Sequence, residues 1–399
     1  MSENVTNQGS LMPHYGLFLP TITGQGTPEQ QMWWAPKALR FEIIGSYAQT
    51  ELGHGSNVRG LQTTARYDAA TQEFVLDTPT LQSMKWWNSN LGLAATHAVV
   101  YAQLLMPTAA GGLEEKGVHV FMLQVRDENH MPLPGIEMGD VGAKLGDDAI
   151  DTGYMRLKGV RIPREHMLAK RQYVTAEGKY VKRGAKKKKK GGSKMHYATM
   201  MQARAGMINI AGGRLACGAT TATRYSCVRH QGFVDTRRGQ AFASPERAII
   251  DYKVQQYRLF KQIATAYAIK FAGKFFQRSF KVFTKALRGI AEDGADAGAA
   301  AAEAAALERA IPEIHATGAG LKGLCTKMCS DGMEDLRKCC GGHGYLLSSG
   351  VAAQWADYVW NVTAEGDFVV MLLQTARYLI KVLTAVRGGA PVPPSVLTW

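Results

Sequence analysis

A glutamate near the C-terminal end of the sequence is the best candidate for acid–base chemistry. Glu365 stands in Thr363-Ala-Glu-Gly-Asp-Phe368, just before an apolar run, and Trp355, Tyr358 and Trp360 precede it. Burial among aromatic side chains would raise the pKa of this carboxyl towards the working range of a general base. For such a residue taken alone, an acid at a helix N-terminus, stabilised by the helix dipole, is the more frequent explanation.

A glycine-rich stretch, Tyr47–Gly60, is the best candidate for holding a ligand. The hydroxyl of Thr50 and the carboxylate of Glu51 precede Gly53 and Gly55. Glycine allows the backbone to approach a ligand closely and exposes N–H groups to its polar edges. An ordinary glycine turn explains the same residues if the stretch is considered by itself.

Two adjacent tryptophans form a third candidate. They stand in Lys85-Trp-Trp-Asn-Ser-Asn-Leu-Gly92, and neighbouring side chains of a strand point to opposite faces. One of Trp86 and Trp87 can therefore be a core residue while the other lines a pocket for a planar ligand. A core or interface role for both is equally open. A structural and a ligand-binding role are likewise both open for the corner Cys339-Cys-Gly-Gly-His-Gly-Tyr345.

Three further motifs favour structural explanations. Gly318-Ala-Gly-Leu-Lys-Gly323 matches a dinucleotide-binding pattern, but it lies in a helical region without the strand that this pattern requires. The spacing of four cysteines and a histidine fits no usual zinc site, so we predict no metal; these residues are Cys325, Cys329, Cys339, Cys340 and His343. Lys186–Lys190 lacks interleaved aromatic residues, which favours a solvated loop over a phosphate-binding segment.

A β domain followed by a helical bundle must position these residues. Thr27 followed by Pro28 predicts a helix start. Apolar runs bounded by Gly, Pro and Asp clusters predict strands at Phe41–Ile44, Phe74–Leu76, Ala98–Leu105, Val118–Val125 and, as the last one, Val160–Pro163. Helices are expected at Ile314–Leu336 and Phe368–Leu383, and the alanine-rich segment Ala295–Ala310 is either a helix extension or a low-complexity insert. A further long helix carries one apolar stripe at Tyr257, Phe260, Ala264, Tyr267 and Phe271.

This order of elements predicts an α+β fold with segregated parts, a central β-barrel or sandwich followed by an α-helical bundle. The expected segments are a helical start at 1–40, the β domain at 41–170, a basic insert or linker at 171–195, the helical bundle at 196–385 and a flexible tail at 386–399.

Composition narrows the class of protein. The net charge of +14 is concentrated, since eight positive charges lie within Lys182–Lys194 and only +6 remains elsewhere. We therefore expect no nucleic-acid partner. Apolar runs of membrane-span length are lacking, so no membrane span is expected. Six cysteines without regular spacing indicate a reducing compartment, and the N-terminal residues show no secretory signal.

Taken together, the motifs resemble the flavin-dependent acyl-CoA oxidases of the acyl-CoA dehydrogenase/oxidase superfamily, from about Met12 to about Leu383. The resemblance is carried by LFLPT, YAQTELGHGSNVRGLQTTA, SMKWW, THAVVYAQL, VRIPREHML, ATRYSCVRHQ, IIDYKVQQYRLF, HATGAGLKGL, CCGGHGY and EGDFVVMLLQTAR. Relative to that family, the chain is expected to lack the full N-terminal and C-terminal helical domains.

The resemblance implies FAD as cofactor and a role for each motif. Glu365 matches the catalytic base. Thr50 would hydrogen-bond the flavin ring, and Gln49, Trp87 and Ser89 would complete the flavin-binding wall. The FAD of a neighbouring subunit would be reached by three further residues, which are Arg229, Gln231 and Gly342.

The implied reaction is oxidation of a fatty acyl-CoA to a trans-2-enoyl-CoA with electrons passed to O2, giving H2O2. A homodimer with FAD shared across the interface and a peroxisomal location follow from the same resemblance, although the chain ends Val-Leu-Thr-Trp399 without a peroxisomal signal. Ser89-Asn90 is closer to the dehydrogenases. An acyl-CoA dehydrogenase that uses a flavoprotein acceptor and a non-catalytic truncated homologue are the alternatives.

Overall fold

The computed structural model contains two compact units, and each has its own core. Residues 7–144 and 148–190 form the first, here called the β unit, and residues 145–147 and 191–399 belong to the second, the helical unit. The structure describes residues 11–183, 198–237, 243–292 and 297–391, so the lysine run Lys186–Lys190 and the end of the expected tail lie outside the described residues.

Short helices begin the β unit: α1 (Leu11–Pro13), a π-helical turn (His14–Phe18), α2 (Leu19–Gln25) and α3 (Pro28–Leu39). The predicted helix start at Thr27 is confirmed. The Thr27 side chain accepts from the backbone N–H of Gln30, and the Gln30 side chain accepts from the backbone N–H of Thr27. This reciprocal capping satisfies two N–H groups that lack partners within the helix.

Eleven strands follow among the described residues of this unit. They are β1 (Gly45–Ala48), β2 (Thr64–Asp68), β3 (Glu73–Asp77), β4 (Lys85–Ser89), β5 (His97–Pro107), β6 (Leu113–Gln124), β7 (Ile136–Asp140), β8 (Thr152–Leu157), β9 (Val160–Pro163), β10 (Gln172–Val174) and β11 (Tyr180–Lys182). The larger sheet runs β1-β5-β2-β3-β9, with β6 also paired to β5, and the smaller sheet runs β4-β8-β7.

Most of β5 and the second half of β6 are buried on both faces because both faces are covered. Alternate residues such as Val100 and Phe121 share a core with side chains of both sheets. Their neighbours, such as Val99 and Met122, pack against Phe18 and other residues of the short helices. The period of two in side-chain direction explains why these strands read as continuous hydrophobic runs.

Two details of the strand prediction are wrong. Phe41–Ile44 forms a turn, and the strand begins only at Gly45. Val160–Pro163 is not the last strand, because β10 and β11 pair as a hairpin at 172–182, inside the segment predicted as an insert or linker. Val174 of this hairpin is buried in the core between the sheets.

The helical unit is built from long helices. Its described elements are α4 (Ala198–Val228), the strands β12 (His230–Phe233) and β13 (Glu246–Ala248), α5 (Lys253–Glu292), α6 (Ala297–Cys339), α7 (Val351–Val359) and α8 (Phe368–Arg387), with 3₁₀ turns at Ile249–Asp251, Gly341–Tyr345, Leu347–Ser349 and Trp360–Val362. The predicted helices are confirmed, and the alanine-rich segment is helical from Ala297, the first of its residues that the structure describes. The α+β class with a curled sheet and a separate helical region is confirmed with them.

The predicted apolar stripe lies on α5, on a face that is exposed in the single chain. Tyr257, Phe260, Tyr267 and Phe271 are each more than half exposed. The core of the helices contains the other face of α5, including Leu259, Ala266, Ile269 and Phe276. Helix α5 thus carries apolar residues on two faces, and one of them is uncovered in the single chain.

Helix α8 is also largely uncovered. By length and composition alone it could cross a membrane, although it contains Arg377 and Lys381. Only 6% of its most apolar 18-residue segment is buried. A single helix of this kind is weak support for a membrane protein, so the expectation of no membrane span remains a prediction.

Candidate functional site

Glu365 lies in the loop that leads into α8. Its backbone is left-handed, with φ 55°, and Gly366 follows with φ 111°. The cap of α8 is Asp367, whose carboxylate accepts from the backbone N–H of Val369. Asp367 therefore performs the helix-capping role considered for Glu365, and the Glu365 carboxyl remains available for chemistry.

Two cations from distant helices lie at the backbone of this loop. Arg204 of α4 donates through Nε to the carbonyl oxygen of Glu365 at 3.0 Å. Lys322 of α6 donates through Nζ to the carbonyl oxygen of Gly366 at 2.6 Å. The sequence predicts neither contact, since Arg204 and Lys322 are 161 and 44 positions away from these acceptors.

Burial and charge act in opposite directions on the Glu365 carboxyl. Burial raises its pKa above the ordinary value, while the positive charges of Arg204 and Lys322 lower it, and the net effect is a raised pKa. A carboxyl with a raised pKa is a stronger proton acceptor once it is ionised, as a general base requires.

In the β unit, Gln49 and Thr50 continue β1 beside β4. The backbone oxygen of Thr50 accepts from the N–H of Trp86 at 3.0 Å. The side-chain oxygen of Gln49 accepts from the Tyr47 hydroxyl at 2.7 Å. The structure therefore brings the glycine-rich stretch and the tryptophan motif together, as one paired backbone segment.

A buried ion pair lies beneath this segment. Lys85 Nζ is 3.3 Å from Glu51 Oε1 and also donates to the backbone oxygens of Gln49 and Tyr101, at 3.1 and 2.7 Å. Burial lowers the pKa of Lys85 to about 8, and Glu51 opposes that effect. Burial on its own would raise the pKa of Glu51, but Lys85 and the donors of Thr63 and Gln62 keep it below the ordinary value.

The tryptophan motif presents an open surface. Trp86 stacks on Tyr154 with ring centroids 5.5 Å apart. Trp87 is 60% exposed and has a left-handed backbone, with φ 68°. Trp86 is partly buried and Trp87 is exposed, so neither is a fully buried core residue. A register shift between Lys85 and Asn88 breaks the regular alternation of the strand.

The residues around this surface suit a planar, polar ligand such as a flavin ring. The Asn88 side chain is buried, and its Oδ1 has no hydrogen-bond partner among the described residues. A buried polar atom without a partner is costly unless a ligand or water satisfies it. Ser89 is partly exposed beside it, and its backbone oxygen accepts from the Ser46 hydroxyl at 2.8 Å. These residues therefore fit the flavin part of FAD.

A separate cleft in the helical unit collects the three other predicted FAD contacts. Its volume is about 740 Å³, and its lining includes Arg229, Gln231, Gly342, Lys253 and Lys338. Arg229 Nη2 donates to Gln231 Oε1 at 3.0 Å. A Cβ added at Gly342 would meet nothing within 4 Å, so the backbone there is open. Arg and Lys side chains beside open backbone suit a diphosphate, and Glu365 is not among the residues that line this cleft.

The cysteines and the Gly318–Gly323 motif have structural surroundings. Burial raises the pKa of Cys325 to about 11 and that of Cys329 to about 12, so these thiols stay protonated. Within the described part of the chain, no three His, Cys, Asp or Glu side chains converge as a metal site would need. Gly318–Gly323 lies inside α6 without a preceding strand, and it does not have the geometry of a dinucleotide-binding turn.

Comparison with known families divides the chain into three matched segments. Residues 1–44 match the acyl-coenzyme A oxidase N-terminal family, residues 46–160 the acyl-CoA dehydrogenase middle domain and residues 197–380 the acyl-CoA oxidase C-alpha1 domain. Two of the three families are specific to oxidases.

Individual proteins give the same result. The chain is 44% identical to peroxisomal acyl-coenzyme A oxidase 1 of Arabidopsis thaliana over 380 residues, which is 94% of this chain and 52% of the relative. The structure of Arabidopsis thaliana acyl-CoA oxidase 1 superposes with a TM-score of 0.83 at 43% identity and covers 96% of this chain and 54% of that one. Acyl-CoA oxidase-2 of Caenorhabditis elegans, bound with FAD, ascaroside-CoA and ATP, gives 0.82 at 38% identity, covering 95% and 52%. The chain spans about half the length of the curated relatives that it matches.

Proposed function

The chain belongs to the acyl-CoA oxidase family, and we propose that it oxidises a fatty acyl-CoA to the trans-2-enoyl-CoA and transfers the electrons to O2, giving H2O2. The observation that carries this proposal is the environment of the Glu365 carboxyl in the loop before α8. There, a carboxyl of raised pKa is free of the capping role that Asp367 fills, and it stands beside two buried cations.

Glu365 acts on the hydrogen next to the thioester carbonyl. Its carboxylate removes the α-proton of the acyl chain, and the positive charges of Arg204 and Lys322 help the carboxylate to remain ionised despite its burial. FAD bound beside this site would supply the hydride acceptor for the β-hydrogen and the route of the two electrons to O2. The acyl chain thereby loses one proton and one hydride, which leaves the α,β double bond.

The β unit and the cleft supply the residues for FAD. Gln49, Thr50, Trp87 and Ser89, with the unsatisfied oxygen of Asn88, would hold the flavin ring. The FAD of a neighbouring subunit would be held by the cleft residues Arg229, Gln231 and Gly342. This arrangement requires a homodimer, and the exposed apolar side chains of α5 and α8 are consistent with a covered surface in an assembly.

Two oxidase-specific families match the chain, and they favour O2 over a flavoprotein as electron acceptor. Neither the dehydrogenase alternative suggested by Ser89-Asn90 nor the non-catalytic alternative is favoured by these matches. Because relatives such as the Arabidopsis protein carry the word peroxisomal in their names, we also propose a peroxisomal location.

Anaerobic reduction tests the proposed function. Purified FAD-loaded protein is expected to lose its yellow colour when a fatty acyl-CoA is added without O2, and the product should be the trans-2-enoyl-CoA. Glu365→Gln should bind FAD and substrate and bleach about 10²- to 10⁴-fold more slowly, since a positioned general base contributes a factor of that size. Normal bleaching by Glu365→Gln would remove this residue from its role, and protein that binds no flavin would exclude both enzyme hypotheses.

A further inference from the structure

Lys322 is a fully buried cation that contacts the loop of the proposed base. Its side chain is 0% exposed, and Nζ donates to Gly366 O at 2.6 Å and lies 3.4 Å from Val362 O. Both acceptors belong to the segment 362–366, here called the base loop. Burial of an ammonium group is costly unless the charge is well compensated, so packing alone does not explain a lysine at this position.

The glycine motif of α6 brings Lys322 to this place. A Cβ at Gly320 would lie 3.0 Å from Oγ1 of Thr375, and a Cβ at Gly323 would lie 3.3 Å from Cβ of Met371. Thr375 and Met371 belong to α8, so the two helices approach each other closely at the glycines. The motif that resembles a dinucleotide-binding sequence thus serves helix packing, and it places Lys322 against the loop that precedes α8.

The conformation of the base loop needs support. Glu365 has φ 55° although it is not glycine, and the left-handed conformation is unfavourable for a residue that carries a Cβ. Arg204 holds the carbonyl oxygen of Glu365, and Lys322 holds the next one along the chain, that of Gly366. Two cations on consecutive carbonyls oppose relaxation of the loop to an ordinary conformation.

We propose that Lys322 is a positioning residue for proton abstraction by Glu365, because it holds the base loop in its left-handed conformation and places a positive charge near the carboxylate. This inference rests on the proposed function of Glu365. It assigns a role to Lys322, whose ammonium group contacts backbone oxygens of the base loop and takes no part in the bond changes.

Charged groups around Glu365 determine the pH dependence that this role implies. Arg204 and Lys322 lower the pKa of Glu365, Asp367 and Glu365 raise that of Lys322, and His315 lies near Arg204. Burial lowers the pKa of Lys322 to about 8. Loss of the Lys322 charge should therefore move the pKa of Glu365 further upwards.

Exchange of the α-hydrogen measures the base without hydride transfer. FAD-loaded protein with chemically reduced flavin is incubated anaerobically with a fatty acyl-CoA in D2O, and mass spectrometry follows α-deuterium uptake. Lys322→Met is expected to slow exchange about 100-fold, the effect of a small misplacement of a catalytic group, with FAD affinity and KM unchanged. Lys327→Met is the matched control, since Lys327 lies on the same helix in an exposed pair with Asp331.

A second variant covers the case in which Lys322→Met does not fold. Lys322→Gln keeps an amide donor for Gly366 and loses only the charge, so it should fold and show an acid limb of exchange moved to higher pH. An unmoved limb in Lys322→Gln, or wild-type exchange in folded Lys322→Met, would overturn the role of Lys322. Wild-type protein that neither bleaches nor exchanges would overturn this inference and the proposed function together.

Discussion

At Glu365, the pKa of the proposed base is a balance between burial and two cations. Burial raises it, and Arg204 and Lys322 lower it by less. The sequence correctly singled out Glu365 as a residue whose pKa burial would raise. It could not identify the cations, since Arg204 and Lys322 look like ordinary helix residues until α4, α6 and the base loop are packed together.

The raised pKa has a direct consequence for the pH dependence of the reaction. Only ionised Glu365 can accept the α-proton, so bleaching by acyl-CoA should be constant at high pH and fall as pH drops through the pKa of this carboxyl. The midpoint of this acid limb is expected above the ordinary value of 4.5. Stopped-flow bleaching across pH measures it, with flavin absorbance as a control for retained FAD. A midpoint at or below the ordinary value would contradict the role of burial.

Arg229 is the residue for which a cofactor role can be tested by binding alone. A charge-assisted hydrogen bond contributes about 1.5–3 kcal/mol, so Arg229→Ala should raise the Kd for FAD about tenfold to a hundredfold. Titration of apoprotein with FAD gives this value directly. Arg237→Ala is the control, because Arg237 is exposed, pairs with Asp235 and does not line the cleft. Equal affinities for the two variants would separate Arg229 from FAD binding.

At the scale of elements, the buried pair of Glu51 and Lys85 joins the end of β1 to β4. Both side chains are fully buried, and Lys85 also holds the backbone of Gln49. The pair therefore fixes the segment that presents Thr50. The sequence does not predict this pair, because pairing of residues 34 positions apart depends on how the strands are arranged.

Removal of one partner of this pair should be costly. Lys85→Met leaves the Glu51 carboxylate buried without its cation, and such a loss destabilises proteins by about 3–5 kcal/mol. Urea unfolding followed by a probe in the β unit measures the loss. The double variant with Glu51→Gln should recover much of it, and Lys158→Met, which breaks an exposed pair with Glu137, should leave stability unchanged. If Lys85→Met behaved like that control, the pair would not support the segment.

Helix α5 shows where periodicity is informative and where it is not. The spacing of Tyr257, Phe260 and Phe271 correctly predicts a helix, but a stripe cannot tell an internal core from a surface that a partner covers. The apolar runs of β5 and β6 are easier to interpret, because side chains on both faces of these runs are buried. A continuous apolar run therefore predicts a buried strand without any decision about which face points inward. Phe41–Ile44 contains the apolar residues that are typical of a strand, but the chain turns there before it enters the sheet.

At the scale of the whole molecule, the proposed assembly links FAD to dimer formation. If the cleft with Arg229 and Gln231 holds the FAD of a neighbouring subunit, FAD bridges two chains and stabilises the dimer by mass action. Sedimentation velocity at decreasing protein concentration should therefore show monomer at higher concentrations without FAD than with it. Identical dissociation in the two states would argue against a shared cofactor.

The identity of the electron acceptor is also a question about the whole molecule, and two motifs of the sequence favour different acceptors. The stretch Thr50–Gly55 resembles oxidases, while Ser89-Asn90 is closer to dehydrogenases. The structure explains how the glycine-rich stretch and the tryptophan motif meet, through the hydrogen bond from Trp86 N–H to Thr50 O. That contact does not depend on which acceptor later takes the electrons. The match to two oxidase-specific families favours O2.

Reoxidation of substrate-reduced protein tests the central proposal most directly. Protein bleached anaerobically with a fatty acyl-CoA is mixed rapidly with oxygenated buffer, and flavin absorbance and H2O2 are followed together. We predict rapid recovery of the yellow colour with one H2O2 formed for each flavin reoxidised. Slow recovery in O2 that becomes fast only with an artificial electron acceptor would contradict the oxidase function and identify a dehydrogenase.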